Sequence, residues 1–269
     1  NAADRCVIIG DTAGQGAMTA NSDYTVAIGY QALKALSTGA ANLAIGYNAM
    51  LTHTTGNSNI AIGYEAMDDT DAGSNSLGSE HNMFIGKNSG GGTWADAASQ
   101  YNVAIGNFTM DAALNGSSNN TVLGYNAGTA LTTGDSNVFI GGSCGQGAVD
   151  VDLAVIIGYQ AGYMNMTDAA NGVVSIGYQA GYAITSGSYN TSIGYRALAA
   201  CTTAGGNTVV GHNAAQGLAA GGNSGTDNTV IGAWALDAAT TNERNNVVVG
   251  SYAGSGILGS ASDDNVLIG

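Results

Sequence analysis

The sequence predicts an all-β protein built as a parallel β-solenoid of about fourteen coils, mostly of 17–20 residues, and three observations lead there. The stretch Asn42-Leu43-Ala44-Ile45-Gly46-Tyr47-Asn48-Ala49 recurs in close copies from one end of the chain to the other. With its glycine as the marker, fifteen copies fall at Gly10, Gly29, Gly46, Gly63, Gly86, Gly106, Gly124, Gly141, Gly158, Gly177, Gly194, Gly211, Gly232, Gly250 and Gly269, at intervals of 17 to 23 residues. The residues just before each marker are aliphatic and mostly β-branched, which suits a short pleated strand. A near-fixed period of this size is the signature of a solenoid, each repeat being one turn of the chain that meets only its neighbours. Residues 1–269 therefore read as a single repeat domain, a segment of a longer fibrous protein whose secretion signal or anchor lies outside it.

The strand comes first in each coil. The residue before the marker is Ile in twelve copies and Leu123, Val210 or Val249 in the others; the residue three before it is aliphatic or Met in eleven and Thr121, Thr191, Thr208 or Thr229 in the rest. These two positions share a face of a strand, and their apolar character assigns that face to the solenoid interior. The residue between them points the other way, yet it too is apolar in thirteen copies. That predicts an outward stripe of Ile8, Ala27, Ala44, Ala61, Phe84, Ala104, Val122, Phe139, Ile156, Val209, Val230, Val248 and Leu267, and a stripe of that length marks an interface between copies of the chain.

Asn stands four before the marker in eleven copies, at Asn42, Asn59, Asn82, Asn102, Asn120, Asn137, Asn190, Asn207, Asn228, Asn246 and Asn265. Stacked one per coil, their amides form a hydrogen-bonded ladder along the axis. Among them only Asn190 lies in a glycosylation sequon, and as a ladder residue it is expected to be inaccessible; Asn107, Asn115, Asn119 and Asn165 offer sequons off the ladder. After the marker comes Tyr in seven copies, then a variable residue, then Ala, Ser89, Thr109 or Cys144. The glycine supplies a bend and the small residue implies crowding, while the tyrosine row is read as half-buried packing rather than a sugar-stacking platform.

The remaining stretch of each coil is a polar loop of variable length, longest at 68–81, 90–100 and 216–227. Insertions of this kind sit on one side of a solenoid and carry binding roles. Trp94 and Tyr101 are the aromatic contacts expected for a cell-surface glycan or protein receptor, with the coil edge as the alternative place for Trp94. Asp68, Asp69 and Asp71, with Glu80, could hold Ca²⁺ through hard oxygen ligands, although they lack the spacing of a dedicated calcium loop and read first as a solvated edge.

Composition excludes several classes. Five Lys and Arg against nineteen Asp and Glu give a net charge of −14, which repels a phosphate backbone, so no nucleic-acid partner is expected. No apolar run approaches the roughly 20 residues of a spanning helix, so no membrane insertion is expected. His53, His81 and His212 fall in different coils at different repeat positions, and the carboxylates are scattered, so no catalytic constellation, metal or cofactor is expected and the chain reads as non-enzymatic. Cys6, Cys144 and Cys201 lie too many coils apart for an intrachain bridge. An ice-binding solenoid needs a regular Thr array, whereas Thr gathers here mostly in the loops.

The segments NLAIGYNA, NIAIGYEA and NVAIGNFT resemble the head repeat of YadA-type trimeric autotransporter adhesins, and similar repeats occur in phage tail fibres. The resemblance covers nearly the whole chain. It implies a left-handed parallel β-roll, association of three chains, an extracellular place on a cell surface or virion, and a role in adhesion. The spacing of 17 residues or more and the Gly-Tyr-x-Ala continuation depart from the head repeat toward the tail-fibre versions. The reading is thus a structural and adhesive fibre, with a viral tail-fibre segment or a self-assembling extracellular filament as the alternative.

Overall fold

Among the described residues, each marker glycine is preceded by a three-residue strand, fifteen in all, and the strands pair in parallel. The computed structural model describes residues 3–70, 78–218, 225–238, 243–255 and 263–269. The chain divides into two units, Asn1–Ser136 and Asn137–Gly269. In the first, β1 (Val7–Ile9), β2 (Val26–Ile28), β3 (Leu43–Ile45), β4 (Ile60–Ile62), β5 (Met83–Ile85), β6 (Val103–Ile105) and β7 (Thr121–Leu123) pair in sequence order. The second unit repeats the plan with β8 (Val138–Ile140), β9 (Val155–Ile157), β10 (Val174–Ile176), β11 (Thr191–Ile193), β12 (Thr208–Val210), β13 (Thr229–Ile231), β14 (Val247–Val249) and β15 (Val266–Ile268). Register is fixed at the middle residue, Ala44 opposite Ala61 and Val209 opposite Val230. The all-β parallel solenoid expected from the repeat is therefore the fold of each unit.

Turning the chain once in so few residues needs backbone conformations that L-residues avoid, and the coil places them at fixed points. The marker glycines from Gly10 to Gly250 have φ between +129° and +147°, and a Cβ on Gly46 would run into the carbonyl oxygen of Gly63 one coil along. Left-handed residues follow at the second and fourth positions after the marker, as Asn48 and Met50 or Arg196 and Leu198, and another stands just before each ladder asparagine, as Ser58 or Tyr189. Each such residue costs about 1–2 kcal/mol in isolation. Hydrogen bonds from one coil to the next hold them in place, for example from the backbone N–H of Asn48 to the carbonyl of Tyr30 and from Met50 to Ala66.

The side chains inside the coil are not those expected. The middle residue of the strand faces inward, with Ala27, Ala44, Ala61, Phe84, Ala104, Val122, Phe139, Ile156, Val209, Val230 and Val248 fully buried, while the flanking pair that was assigned to the interior lies on the outer face. The reason is room. The coil is thin, and the middle residue meets the buried residue four after the marker, so the two share one small volume. Phe84 and Phe139 are accommodated because Gly90 and Gly145 stand opposite: a Cβ there would lie 2.7 Å and 2.9 Å from the rings. Ile156 likewise faces Gly162. Where the middle residue is Ala44, Ala61 or Ala104, the residue four after the marker is Met50, Met67 or Met110, again fully buried. Large meets small and small meets large, which gives the native packing density without strain.

Along one corner of the coil runs the asparagine ladder. The Oδ1 of Asn82 accepts from both the backbone N–H and the Nδ2 of Asn102, at 3.0 and 3.1 Å, and Asn102 Oδ1 accepts in the same way from Asn120. From Asn42 to Asn228 each Nδ2 also donates to a backbone carbonyl of the next coil, as from Asn102 to Ser117 at 2.8 Å. The same pattern links Asn42, Asn59 and Asn82 in the first unit and Asn190, Asn207, Asn228, Asn246 and Asn265 in the second. Asn137 starts the second unit's share, bonding to Val151 and accepting from the backbone N–H of Ala154, where the ladder lapses before resuming at Asn190. Buried amides placed this way are satisfied along the axis, which is why so polar a row sits in the interior.

Candidate functional site

With the middle residues inside, the outer face of the strands carries the two flanking columns. One comprises Val26, Leu43, Ile60, Met83, Val103 and Thr121 in the first unit and Val138, Val155, Val174, Thr191, Thr208 and Thr229 in the second; the other is Ile in most coils, including Ile28, Ile45, Ile62, Ile140 and Ile157. Neither column contains a charged residue, although the chain bears 24 ionisable Lys, Arg, Asp and Glu side chains in all. These aliphatics are half-exposed, and Leu123 and Ile231 are more than two-fifths exposed. An outward, largely apolar face thus exists as expected from the sequence, but it is formed by the flanking pair rather than by the Ala and Val stripe.

The residue after the marker forms a second exposed feature. Tyr30, Tyr47 and Tyr64 stack with ring centroids 5.2 and 5.0 Å apart. Lys87 takes the next place, with its Nζ 5.6 Å from the Tyr64 ring and 5.4 Å from that of Phe108. In the second unit Tyr159, Tyr178, Tyr195 and His212 stack at 5.9, 5.0 and 4.9 Å, followed by Trp234 and Tyr252. A shorter stack, Tyr163 on Tyr182 at 5.1 Å, lies four residues further along the coil. Because each ring covers its neighbour's face, the columns present edges and hydroxyls to solvent. Sugar stacking needs an open face, so the inner tyrosines are not a sugar platform.

The insertion residues separate. Trp94 is fully buried, its ring edge-on to Phe84 at 5.7 Å and its Nε1 donating to the Gly90 carbonyl at 3.0 Å. Its indole packs in the core against the Phe84 ring, so the exposed contact expected of it is corrected to a core role. Tyr101 is about half exposed and stacks on His81 at 5.3 Å. Asp69 accepts from Thr93 Oγ1 at 2.7 Å and from Thr52 Oγ1 at 3.3 Å. Asp68 has its carboxyl pushed up to about 6, first by burial and then by Glu65, Asp69 and Asp111; Asp111 is pushed up to about 6 by burial. Glu80 instead accepts from Asn57 at 3.1 Å and lies 3.9 Å from His81. Asp71 lies outside the described residues. Among the described residues, no group of three or more His, Cys, Asp and Glu is arranged to hold a metal ion.

Of the three histidines, His53 is buried against Thr70 Oγ1 at 2.9 Å, His81 lies on Tyr101 and His212 is part of the aromatic column. They are not brought together. Cys144 and Cys201 are buried, and burial pushes their thiols up to about 12 and about 11. Asn190 is buried in the ladder, whereas the sequon residues Asn107, Asn115, Asn119 and Asn165 are exposed. No helix among the described residues is long and apolar enough to cross a membrane. Comparison with protein-family models, with curated proteins and with solved structures gave no match to the chain.

Proposed function

We propose that this chain is a non-enzymatic structural and adhesive fibre segment, extracellular on a cell surface or virion, whose copies associate side by side as a homotrimer or filament. The observation that carries this reading is the pair of charge-free columns on the outer sheet face, aliphatic in most coils with Thr121, Thr191, Thr208 and Thr229 in one of them. A soluble monomer would leave this strip in water along each unit, whereas a second copy removes it at about 25 cal/mol per Å² of apolar surface. The likeness to adhesin head repeats supports the same reading and favours three chains. The stacked coils, bonded only to their neighbours, make a stiff support that holds the polar loops at fixed stations. The contact to a glycan or protein receptor is assigned in this reading to Tyr101, which is half-exposed and stacks on His81.

The test is the mass in solution by light scattering, for the natural chain and for a variant carrying Ile45→Lys and Ile62→Lys. Both substitutions lie on the outer face, so circular dichroism should be unchanged. A natural chain that sediments as a multimer and a variant that sediments as a monomer support the reading. A natural chain that is monomeric, or a variant that associates as strongly as the parent, overturns it. Electron microscopy of the same sample separates short trimeric rods from long filaments, the second reading, which rests on the same columns.

A further inference from the structure

We propose that the tyrosine columns are sites of oxidative cross-linking, in which tyrosines on adjacent coils of one chain are joined ring to ring. The observations are register, distance and exposure. Tyr47 and Tyr64 stand 5.0 Å apart with ring planes 7° from parallel, Tyr178 and Tyr195 are 5.0 Å apart at 10°, and Tyr163 and Tyr182 are 5.1 Å apart at 1°. The column phenols are reachable from solvent, with 40–54% of Tyr30, Tyr47, Tyr64, Tyr159, Tyr178 and Tyr195 exposed. Backbone hydrogen bonds between coils, such as Glu65 N–H to the Tyr47 carbonyl, fix the two Cα positions, so the rings need only side-chain rotation to bring ortho carbons together. This inference concerns neighbours within one chain and does not depend on association between chains.

The chemistry balances with a haem peroxidase and hydrogen peroxide as oxidant. Each of two tyrosines gives up one electron and its phenolic proton, forming a pair of phenoxyl radicals, and the peroxide takes the two electrons and two protons to become two waters. The radicals couple through one Cε of each ring, forming a carbon–carbon bond. Each coupled carbon then loses its hydrogen as a proton while the phenol oxygen regains one, restoring both aromatic rings. The chain loses two hydrogens for each bond formed. Such a bond is a staple between coils that otherwise depend on neighbour contacts alone.

The second unit sets a limit on where bonds form. Its column continues from Tyr195 to His212 and Trp234, which carry no phenol, so the run of linkable rings ends at Tyr195. Tyr24 and Tyr189 are more exposed than most column members, but neither stacks on another tyrosine. Exposure alone would favour them, and stacking favours the column.

The experiment treats the full chain with peroxidase and hydrogen peroxide at high dilution and reads intact mass, dityrosine fluorescence and the linked peptides. The expected result is loss of two hydrogen masses per link in a single-chain product. The links should join Tyr47 to Tyr30 or Tyr64, Tyr178 to Tyr159 or Tyr195, and Tyr163 to Tyr182. Tyr47→Phe should abolish the first unit's links and leave the second unit's intact. A parallel oxidation in urea should scatter the links over all tyrosines. Absence of dityrosine, links only between chains, links led by Tyr24 and Tyr189, or the same pairs in urea as in buffer would each overturn the proposal.

Discussion

Exchanging the sizes of a facing pair tests the packing rule that sets the whole architecture. Phe139 is fully buried and Gly145 faces it, with φ +53° and room for no Cβ nearer than 2.9 Å from the ring. Phe139→Ala alone opens a void and should cost about 3–5 kcal/mol. Gly145→Met alone forces a side chain against a filled site, about 1–3 kcal/mol, and adds about 1–2 kcal/mol for a left-handed residue. The double variant recreates the Ala44 and Met50 pair, in which Met50 already sits at φ +51°. It should therefore retain only the backbone cost, so the two substitutions couple favourably at or above the usual upper value of about 3 kcal/mol for touching residues. Urea unfolding followed by circular dichroism gives the global figure. Amide exchange over residues 137–160 gives the local one, which matters because a solenoid does not unfold as a single two-state unit. A double variant as unstable as additivity predicts would refute the reciprocal filling of the coil.

Three further outcomes follow from the buried polar groups. Asn102→Ala strands the backbone N–H of Asn120, at a cost of about 1–3 kcal/mol, and Asn102→Asp should be worse at neutral pH because its oxygens face the Asn82 and Ser117 acceptors; thermal unfolding that ranks Asp above Ala in stability would contradict the ladder. Asp68 and Asp111 have folded values of about 6 against an ordinary 3.8, so the fold takes up protons between about pH 6 and pH 4 that the unfolded chain does not, and their destabilising effect fades as pH falls through that window. Asp68→Asn with Asp111→Asn should accordingly raise the melting temperature at pH 7 and leave it unchanged near pH 4; an equal gap at both pH values counts against the shifts. Iodoacetamide should label Cys6 alone in the native chain and all three cysteines in urea, because Cys144 and Cys201 are buried and hold their protons; early labelling of either by mass spectrometry would contradict their burial.

The positions of the strands were legible because the marker glycine recurs with the same aliphatic residues before it, and all fifteen strands end at the residue preceding a marker. The ladder was legible for the same reason, each asparagine standing just before a strand. Orientation was not. A strand normally reveals its inner face by alternation, but Val26, Ala27 and Ile28 are all apolar, so period two carries no signal. The information lay six positions apart instead, in the exchange between Phe84 with Gly90 and Ala44 with Met50, which shows that the middle residue competes for a bounded volume. Trp94 misled because its loop, GGGTWADAASQ, has the composition of a surface segment. The glycine that makes the loop look open, Gly90, is the one that admits the Phe84 ring, against which the indole packs.

The size exchange within each coil has a consequence for how such a chain can change. Phe139 with Gly145, or Ile156 with Gly162, settles its volume inside one turn. The contact passed to the next turn is largely common to all coils: a backbone ladder, a glycine against a glycine carbonyl and, in most coils, an asparagine amide. A coil is therefore a module with standard ends. Duplicating or deleting one shifts every later station by a single strand spacing, about 4.8 Å, without asking any neighbour to repack. Length in this protein is a quantity that can be edited in whole turns, while the core of each turn stays as it was.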